Sequence, residues 1–223
     1  MAVITGSHIL FKGDYKYYIV RSNLMKKENY RRISHNEFIE YIDRICNDLE
    51  KYINENQLKV DYICPILRSG GVPAIYISNR LNIVKFAPFQ VKHIKYNNDT
   101  YSTEILFNPF NSLEIKKSNP VFLVVEAMHS TGSSVALCIN EIKKNYKDAI
   151  ILYVSVTKAY GYRDFKGEVA YENTGFYYNR CNREYSKEEC EQLGIEFYNP
   201  LFPWENLELE LIHPDDLEDN IFF

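Results

Sequence analysis

The most constraining feature of the sequence is an apolar run that leads directly into a polar loop and then into an amphipathic stretch. Residues 121–125 form the run, and an unbroken series of apolar side chains is typical of a strand buried on both faces of a parallel sheet. The amphipathic stretch predicts a helix after the loop, and a further strand is predicted over 149–156. Strands that alternate with helices in this way indicate a doubly wound, mainly parallel α/β sheet.

The same alternation is present earlier in the chain. Ser34 and Glu37 have the spacing of a capping box, and the apolar residues after them lie on one helical stripe. A strand is predicted over 60–66, followed by the turn Leu67-Arg-Ser-Gly-Gly71 and a second helix. The polar segment 97–119 is predicted to be a long loop with at most a hairpin, and loops of this length are often lids.

A single domain with three parts is expected. An N-terminal arm over 1–33 precedes an α/β core over 34–159, and a C-terminal cap, or hood, is predicted over 160–223 because the alternation of strands and helices stops there. The 223 residues are 46% hydrophobic, which is sufficient for one substantial core.

Composition and charge argue against several classes of protein. The net charge is −4, whereas proteins that bind duplex nucleic acid usually need a basic face. The first residues lack the apolar segment of a signal peptide, and no apolar run approaches the length of a membrane span. The five cysteines, an odd number without a C-x-x-C pair, argue against a disulfide framework or a zinc site. We therefore expect a soluble, cytoplasmic protein that binds neither nucleic acid nor membranes.

The loop after the 121–125 strand has the residues of a phosphate site. Backbone N–H groups, hydroxyls and the positive end of a helix would together hold a phosphate dianion in this phosphate loop, residues 129–134. Gly132 would let the backbone approach the ligand closely. Alternatively, the serines and the threonine only cap the helix, but the acidic Glu126 just before the loop favours the phosphate site. The common P-loop and dinucleotide-binding patterns are absent.

Two segments carry a family resemblance. Val124-Val-Glu-Ala-Met-His-Ser-Thr-Gly-Ser-Ser134 resembles the phosphoribosyl pyrophosphate (PRPP) signature of type I phosphoribosyltransferases, and residues 60–74 resemble the pyrophosphate loop of that family. The resemblance implies that Glu126 binds the ribose hydroxyls. It implies a 5′-phosphate site formed by His129, Ser130, Thr131, Gly132, Ser133 and Ser134. It also implies a pyrophosphate site in an arginine loop formed by Leu67, Arg68, Ser69 and Gly70.

A third group of residues resembles the xanthine/guanine and archaeal-type hypoxanthine enzymes. These enzymes carry a lysine comparable to Lys158 and a Pro-Trp-acid motif comparable to that at Trp204. The resemblance implies that Lys158 donates to the 6-oxo group of a purine, that Tyr198 or Phe202 stacks on the purine ring, and that Trp204 also belongs to the base site. Lys95-Tyr96 resembles the start of the catalytic loop that closes over PRPP. Alternatively, Lys158 is a solvated strand-end lysine and Trp204 a core anchor.

The resemblance also implies a cofactor and partners. Mg²⁺ would bridge the pyrophosphate and hydroxyl oxygens of PRPP, with Glu205 as a candidate contact to a metal-bound water. The substrates would be PRPP and a nucleobase, and a homodimer or homotetramer is expected. The reaction implied is transfer of ribose 5-phosphate to a base nitrogen with release of pyrophosphate.

The sequence departs from the family pattern at two positions. Ala127 stands where a second acidic residue is usual, and Ser130 replaces the aspartate that takes a proton at purine N7 in oxopurine enzymes. A serine hydroxyl is not a general base near neutral pH without help, so the catalytic candidates are Glu126, Ser130 and the pair Lys95-Tyr96.

His129 could transfer protons or pack beneath the loop. Three functions remain open. The first is a purine enzyme, and the second is transfer to a pyrimidine or an unusual base, because Pro65-Ile-Leu-Arg68 also resembles the uracil group. The third is a PRPP- or nucleotide-binding regulatory protein without catalysis.

Overall fold

The computed structural model describes residues 27–97, 100–113, 115–180 and 185–208. Four α-helices lie in these ranges: α1 His35–Glu55, α2 Gly71–Arg80, α3 Ser133–Asn145 and α4 Lys187–Leu193. The strands there are β1 Tyr30–Arg32, β2 Tyr62–Leu67, β3 Phe89–Asn97, β4 Thr100–Phe107, β5 Val121–His129, β6 Ile150–Ala159, β7 Tyr171–Tyr178 and β8 Asn199–Leu201.

Six strands form one sheet in the order β4-β3-β2-β5-β6-β7. The neighbouring pairs are parallel except for the antiparallel pair β3–β4. Buried side chains of α1 and α2 pack on one face of the sheet, and those of α3 pack on the other. The predicted doubly wound, mainly parallel sheet is confirmed.

The predicted helix start at Ser34 is confirmed in detail. The backbone N–H of Glu37 donates to Ser34 Oγ at 3.2 Å, and the backbone N–H of Ser34 donates to Glu37 Oε2 at 2.8 Å. This capping box satisfies two N–H groups that the first turn of a helix leaves without a partner. The stripe that follows is buried against the sheet: Phe38, Ile42, Ile45, Cys46 and Leu49.

Two predictions about the less regular segments are corrected. Residues 171–178, assigned to the cap, form β7 and extend the main sheet beside β6. Residues 100–107, predicted to be a long loop with at most a hairpin, form β4, which pairs with β3 over nearly its whole length with two shifts of register. Both lie at the edges of the sheet, where one side of a strand faces solvent and its polar sequence has no continuous apolar run.

The cap is built from both ends of the described chain. β1 and β8 pair in parallel, with Arg31 opposite Pro200, and the backbone N–H of Ile33 donates to Leu201 O at 2.8 Å. The sequence-based division placed these strands in separate parts of the molecule.

The cysteines that the structure describes are buried in the core and form no disulfide bonds. The thiols of Cys46, Cys64, Cys138 and Cys190 are free and buried, while Cys181 lies outside the described residues. None of the helices in the described ranges is long and apolar enough to cross a membrane.

Candidate active site

The arginine loop and the phosphate loop lie side by side in the structure. β2 and β5 are parallel neighbours, so their carboxyl ends meet at one edge of the sheet, where ligands bind in open α/β sheets. Ser69 Oγ in the arginine loop donates to Oε1 of Glu126 near the end of β5, at 3.0 Å. This hydrogen bond joins the arginine loop to the strand that leads directly into the phosphate loop, and the sequence predicted these two loops to share one ligand.

The close approach of the two strands requires glycine at position 70. A Cβ on Gly70 would lie 2.5 Å from the carbonyl oxygen of Val125 and 2.7 Å from that of Ile66. Both oxygens belong to the backbone of the sheet and cannot move aside. The loop also contains a cis peptide bond between Leu67 and Arg68, and the Arg68 side chain is exposed.

The phosphate loop ends at the first turn of α3. Gly132 has a φ of 80°, a conformation that glycine adopts without strain, and α3 begins at the next residue. Thr131 Oγ1 lies 3.0 Å from Ser133 Oγ. The N-terminal N–H groups of this 13-residue helix therefore lie beside several hydroxyls, an arrangement that suits an anion.

Glu126 is an acid with an altered affinity for protons. Burial raises its pKa to about 7, although hydrogen bonds from Ser69 and from the backbone N–H groups of Ala127 and Met128 act in the opposite direction. The negative charge of Glu205 raises the pKa further, which brings this cap residue into the electrostatics of the site. The carboxylate of Glu205 is held by the backbone N–H of Phe202, which donates to Oε2 at 2.8 Å.

The His129 side chain lies beneath the phosphate loop. It is 1% exposed, its Nδ1 lies 2.9 Å from the Tyr153 hydroxyl, and a Cβ on Gly132 would lie 2.8 Å from its Nε2. Burial, together with the nearby charge of Lys158, lowers the imidazole pKa to about 3. Packing beneath the loop is therefore confirmed. The ring is therefore not placed for proton transfer or for a side-chain contact with a phosphate, while a contact through the His129 backbone stays a prediction.

The surroundings of Lys158 differ from those expected of a base donor. The residue is 2% exposed, and its ammonium pairs with Glu172 at 2.6 Å and also with Asp164. Burial disfavours the charge, but the hydrogen bonds to the two carboxylates raise the lysine pKa above its ordinary value. The lysine is not solvated, and two carboxylates already occupy two of the three N–H donors of its ammonium, which disfavours a contact with a purine oxygen.

Some aromatic residues of the cap are buried in the core, and one remains a candidate for contact with a base. Phe202 is fully buried and stacks on Trp204 with a centroid distance of 4.9 Å, so it cannot stack on a base as predicted. Trp204 also packs on Phe38 at 4.9 Å, which confirms that it anchors the cap. Tyr198 is half-buried beside Phe197, and its contact with a base stays a prediction.

The predicted catalytic pair lies in the hairpin. Lys95 and Tyr96 belong to β3, with Lys95 opposite Tyr101 of β4. Their side chains lie outside what the structure describes, and so does the connection between the two strands. Their role in catalysis stays a prediction.

The sequence reasoning missed the residues that support the phosphate loop from below. Phe165 is fully buried against His129 and Tyr153, and Glu172 accepts a hydrogen bond from the Phe165 backbone N–H at 2.7 Å. In the sequence, the only local indication of this support was one phenylalanine, Phe165, in an otherwise polar segment. A groove of about 530 Å³ also lies beside β7, lined by Lys158, Glu172, Tyr177 and others, but no residue of either loop lines it.

Comparisons with known proteins show the fold. No protein-family model matches the chain, and no curated protein sequence does. Among solved structures, a hypothetical protein from Neisseria gonorrhoeae with bound ppGpp has a TM-score of 0.60 at 14% identity, over 82% of this chain and 92% of that chain. A purine phosphoribosyltransferase from Pyrococcus horikoshii Ot3 has a TM-score of 0.52 at 18% identity, over 80% of this chain and 95% of that chain.

A third solved structure agrees with these two. The xanthine-guanine-hypoxanthine phosphoribosyltransferase of Helicobacter pylori has a TM-score of 0.52 at 13% identity, over 81% of this chain and 96% of that chain. A likeness at such identities concerns the arrangement of the backbone, and function has to be argued from the site. The chain has the fold of the type I phosphoribosyltransferases.

Proposed function

We propose that the protein transfers ribose 5-phosphate from PRPP to a nucleobase and releases pyrophosphate. The observation that carries this proposal is the 3.0 Å hydrogen bond between Ser69 and Glu126, which joins the arginine loop to the strand that leads into the phosphate loop at one sheet edge. A ligand with a phosphate at one end and a pyrophosphate at the other matches two such loops. The phosphoribosyltransferases of similar fold support the same reaction class.

The two loops would divide the charges of PRPP between them. In the phosphate loop, Thr131, Ser133 and the first N–H groups of α3 would bind the 5′-phosphate. In the arginine loop, the exposed guanidinium of Arg68 would bind the pyrophosphate, because its planar set of donors fits phosphate oxygens. Holding the leaving group in place would favour its departure in the transition state.

Glu126 would act on the ribose. Its carboxylate is bonded to Ser69 of the arginine loop, just before the phosphate loop begins, and would accept hydrogen bonds from the ribose hydroxyls. The sugar gains positive charge as the bond to pyrophosphate breaks, and a nearby carboxylate stabilises that charge. Because the free enzyme holds the pKa of Glu126 at about 7, ligand hydroxyls that donate to the carboxylate would favour its ionised form.

The donor set fits a Mg²⁺ ion that is bound mainly through the substrate. Glu126 and Glu205 are close enough for the charge of one to raise the pKa of the other, and a cation beside them would relieve that repulsion. The described residues contain no group of three or more potential ligands, so PRPP oxygens and waters would complete the coordination. When bound, the ion would neutralise charge on the departing pyrophosphate.

The acceptor base is the least constrained part of the proposal. A 6-oxopurine remains the first candidate because two of the similar structures are purine and xanthine-guanine-hypoxanthine enzymes. The ion pairs of Lys158 occupy most of the donors of the residue expected to recognise the 6-oxo group. Recognition would therefore depend on the cap, where Tyr198 is half-buried. A pyrimidine or an unusual base is the alternative acceptor.

Calorimetry with PRPP and Mg²⁺, followed by a panel of purine and pyrimidine bases, tests this function. We expect PRPP to bind and one base to give the heat of turnover. Arg68→Gln should weaken PRPP binding about tenfold, the loss of a charge-assisted contact. Arg80→Gln, at the end of α2 away from the loop, is the matched control and should bind normally. Absence of PRPP binding by the wild-type protein would refute the proposal.

A second candidate is a binding protein without catalysis. Ala127 is fully buried in the core, so the second acidic group of the family has no counterpart there, and Ser130 replaces the expected aspartate. The similar structure from Neisseria gonorrhoeae holds ppGpp, a nucleotide with phosphates on both sides of its ribose. PRPP or ppGpp binding without turnover on any base would favour this function.

A further inference from the structure

The phosphate loop rests on a group of rings. A Cβ on Gly132 would lie 2.8 Å from His129 Nε2 and 3.2 Å from Phe165 Cζ, so the loop backbone packs directly on both side chains. The rings of His129, Tyr153 and Phe165 lie 5.6–5.8 Å apart between centroids, and each of the three residues is at most 1% exposed. The position of the loop therefore depends on where Phe165 lies.

Phe165 is held by ion pairs that centre on Lys158. Its backbone N–H donates to Glu172 Oε2 at 2.7 Å, while Glu172 Oε1 accepts from Lys158 Nζ at 2.6 Å. Lys158 also pairs with Asp164, the residue before Phe165. One buried ammonium thus binds the connection between β6 and β7 directly at Asp164, and it reaches the Phe165 N–H through Glu172 of β7.

We propose that Lys158 is a positioning residue for the phosphate loop, acting through Glu172 and Phe165, rather than a base-binding residue. This inference rests on the proposed function and specifies which substrate Lys158 serves. Removing the ammonium would leave the largely buried carboxylate of Glu172 without its ion-pair partner. The connection between β6 and β7 would then be less firmly held. The ring of Phe165 would then no longer support Gly132, and the phosphate site would lose its shape.

Lys158→Met tests this role, since it keeps the aliphatic stem and removes the charge. The KM for PRPP should rise about tenfold, while the KM for the acceptor base should stay within about twofold. Lys166→Met removes the same charge from the same connection, where Lys166 is exposed, and should change neither constant. A rise in the KM for the base with an unchanged KM for PRPP would overturn the proposal in favour of base recognition.

Two further variants keep the test decisive if Lys158→Met does not fold. Phe165→Leu leaves the ion pairs intact and should reproduce the higher KM for PRPP. The double variant Lys158→Met with Glu172→Gln has no unpaired buried charge, and its amide oxygen can still accept from the Phe165 N–H. It should recover part of the PRPP affinity. A double variant that binds PRPP normally but has lost affinity for the base would contradict the positioning role.

A measurement on the free protein separates this inference from the proposed function. Lys158→Met should speed hydrogen–deuterium exchange in the phosphate loop, residues 129–134, whereas Lys166→Met should not. Unchanged exchange in Lys158→Met would refute the positioning role whether or not the protein is an enzyme. If the wild-type protein neither binds PRPP nor turns it over, the proposed function fails, and faster exchange in Lys158→Met alone still supports the link to the loop.

Discussion

At the scale of the residue, burial of a carboxyl group at the end of β5 costs free energy that its partners offset only in part. Glu126 is 7% exposed and accepts hydrogen bonds from Ser69 and from backbone N–H groups, yet its pKa is raised to about 7. Ionisable residues with such shifted pKa values are often functional, because binding and catalysis commonly require a pKa that differs from the ordinary one. We therefore expect Glu126 to reduce stability while it supports the proposed activity.

Glu126→Gln should stabilise the protein at alkaline pH. The pKa in the folded state is raised above that of the unfolded chain, so wild-type stability is lost as pH rises through the interval from about 4.5 to about 7. Glutamine does not titrate, and the variant should exceed the wild type by roughly 3 kcal/mol at pH 8 and by little at pH 4. Urea unfolding at both pH values measures this difference.

A matched control separates this effect from a general effect of charge. Glu50→Gln removes the same charge from the exposed side of α1 and should leave the free energy of unfolding nearly unchanged at both pH values. The Glu126→Gln variant should also lose turnover. An equal change in stability at pH 4 and pH 8 would show that the carboxyl group is not strained by burial.

The sequence predicted the loops of the site better than the surroundings of single side chains. The phosphate and arginine loops were predictable because glycines and hydroxyls follow apolar strands in consecutive order. The ion pairs of Lys158 and the burial of Phe202 were not, because their partners are distant in the sequence or lie in segments without periodicity. A lysine looks the same in the sequence whether it faces solvent or two carboxylates.

At the scale of the element, the residue types that fit at the junction of β2 and α2 depend on how closely the junction packs against β5. A Cβ on Gly70 would meet backbone oxygens at 2.5 and 2.7 Å, whereas a Cβ on Gly71 would meet only the flexible side chain of Leu67 at 3.2 Å. Adjacent glycines therefore differ in what they tolerate. The first keeps the arginine loop against the sheet, and the second begins the helix.

Gly70→Ala should destabilise the protein and Gly71→Ala should not. Overpacking against immobile backbone costs about 1–3 kcal/mol, and the resulting displacement of the arginine loop should also weaken PRPP binding. At position 71 the better helix propensity of alanine offsets the small movement of Leu67. Urea unfolding of the two variants checks this. Equal losses of stability would mean that the approach of β2 to β5 is not tight at Gly70.

Periodicity explains which elements the sequence could predict. α1 and α3 have one buried and one polar face, and β5 is apolar throughout its first half, so local patterns were sufficient. β7 carries a Tyr-Glu-Asn-Thr sequence at the edge of the sheet, and it pairs with β6 without an intervening helix. An edge strand of this kind has no local signal that distinguishes it from a loop.

At the scale of the whole molecule, the cap connects the two ends of the described chain to the site. β1 pairs with β8, Trp204 packs on Phe38 of α1, and Glu205 follows at once and influences Glu126. Arg31 joins three parts of this arrangement, since it contacts Glu37 of α1 at 2.7 Å and Glu196 before β8 at 2.8 Å. Movement of the cap would therefore change the electrostatics of the site.

Arg31→Gln should loosen the cap in a way that depends on pH. The hydrogen bond from Arg31 is the largest cause that lowers the pKa of Glu37 to about 2, and the N–H and hydroxyl of Ser34 contribute as well. A lowered acid pKa stabilises the folded state above about pH 4.5, and this stabilisation is lost as pH falls towards 2. The variant should be less stable by about 1 kcal/mol at pH 7, because these ion pairs are partly exposed. It should match the wild type near pH 2.

Denaturation from pH 2 to 7, with hydrogen–deuterium exchange of residues 185–208, measures both consequences. Exchange in the cap should be faster in Arg31→Gln at pH 7, and salt at about 1 M should narrow the gap to the wild type by screening the ion pairs. Arg32→Gln, exposed on the same strand, removes the same charge and should leave stability and exchange unchanged. A difference of equal size at pH 2 and pH 7 would contradict an electrostatic role, because the pair between Arg31 and Glu37 weakens as the Glu37 carboxyl takes up protons towards its pKa of about 2. The cap would then be held by the strand pair and the aromatic contacts alone.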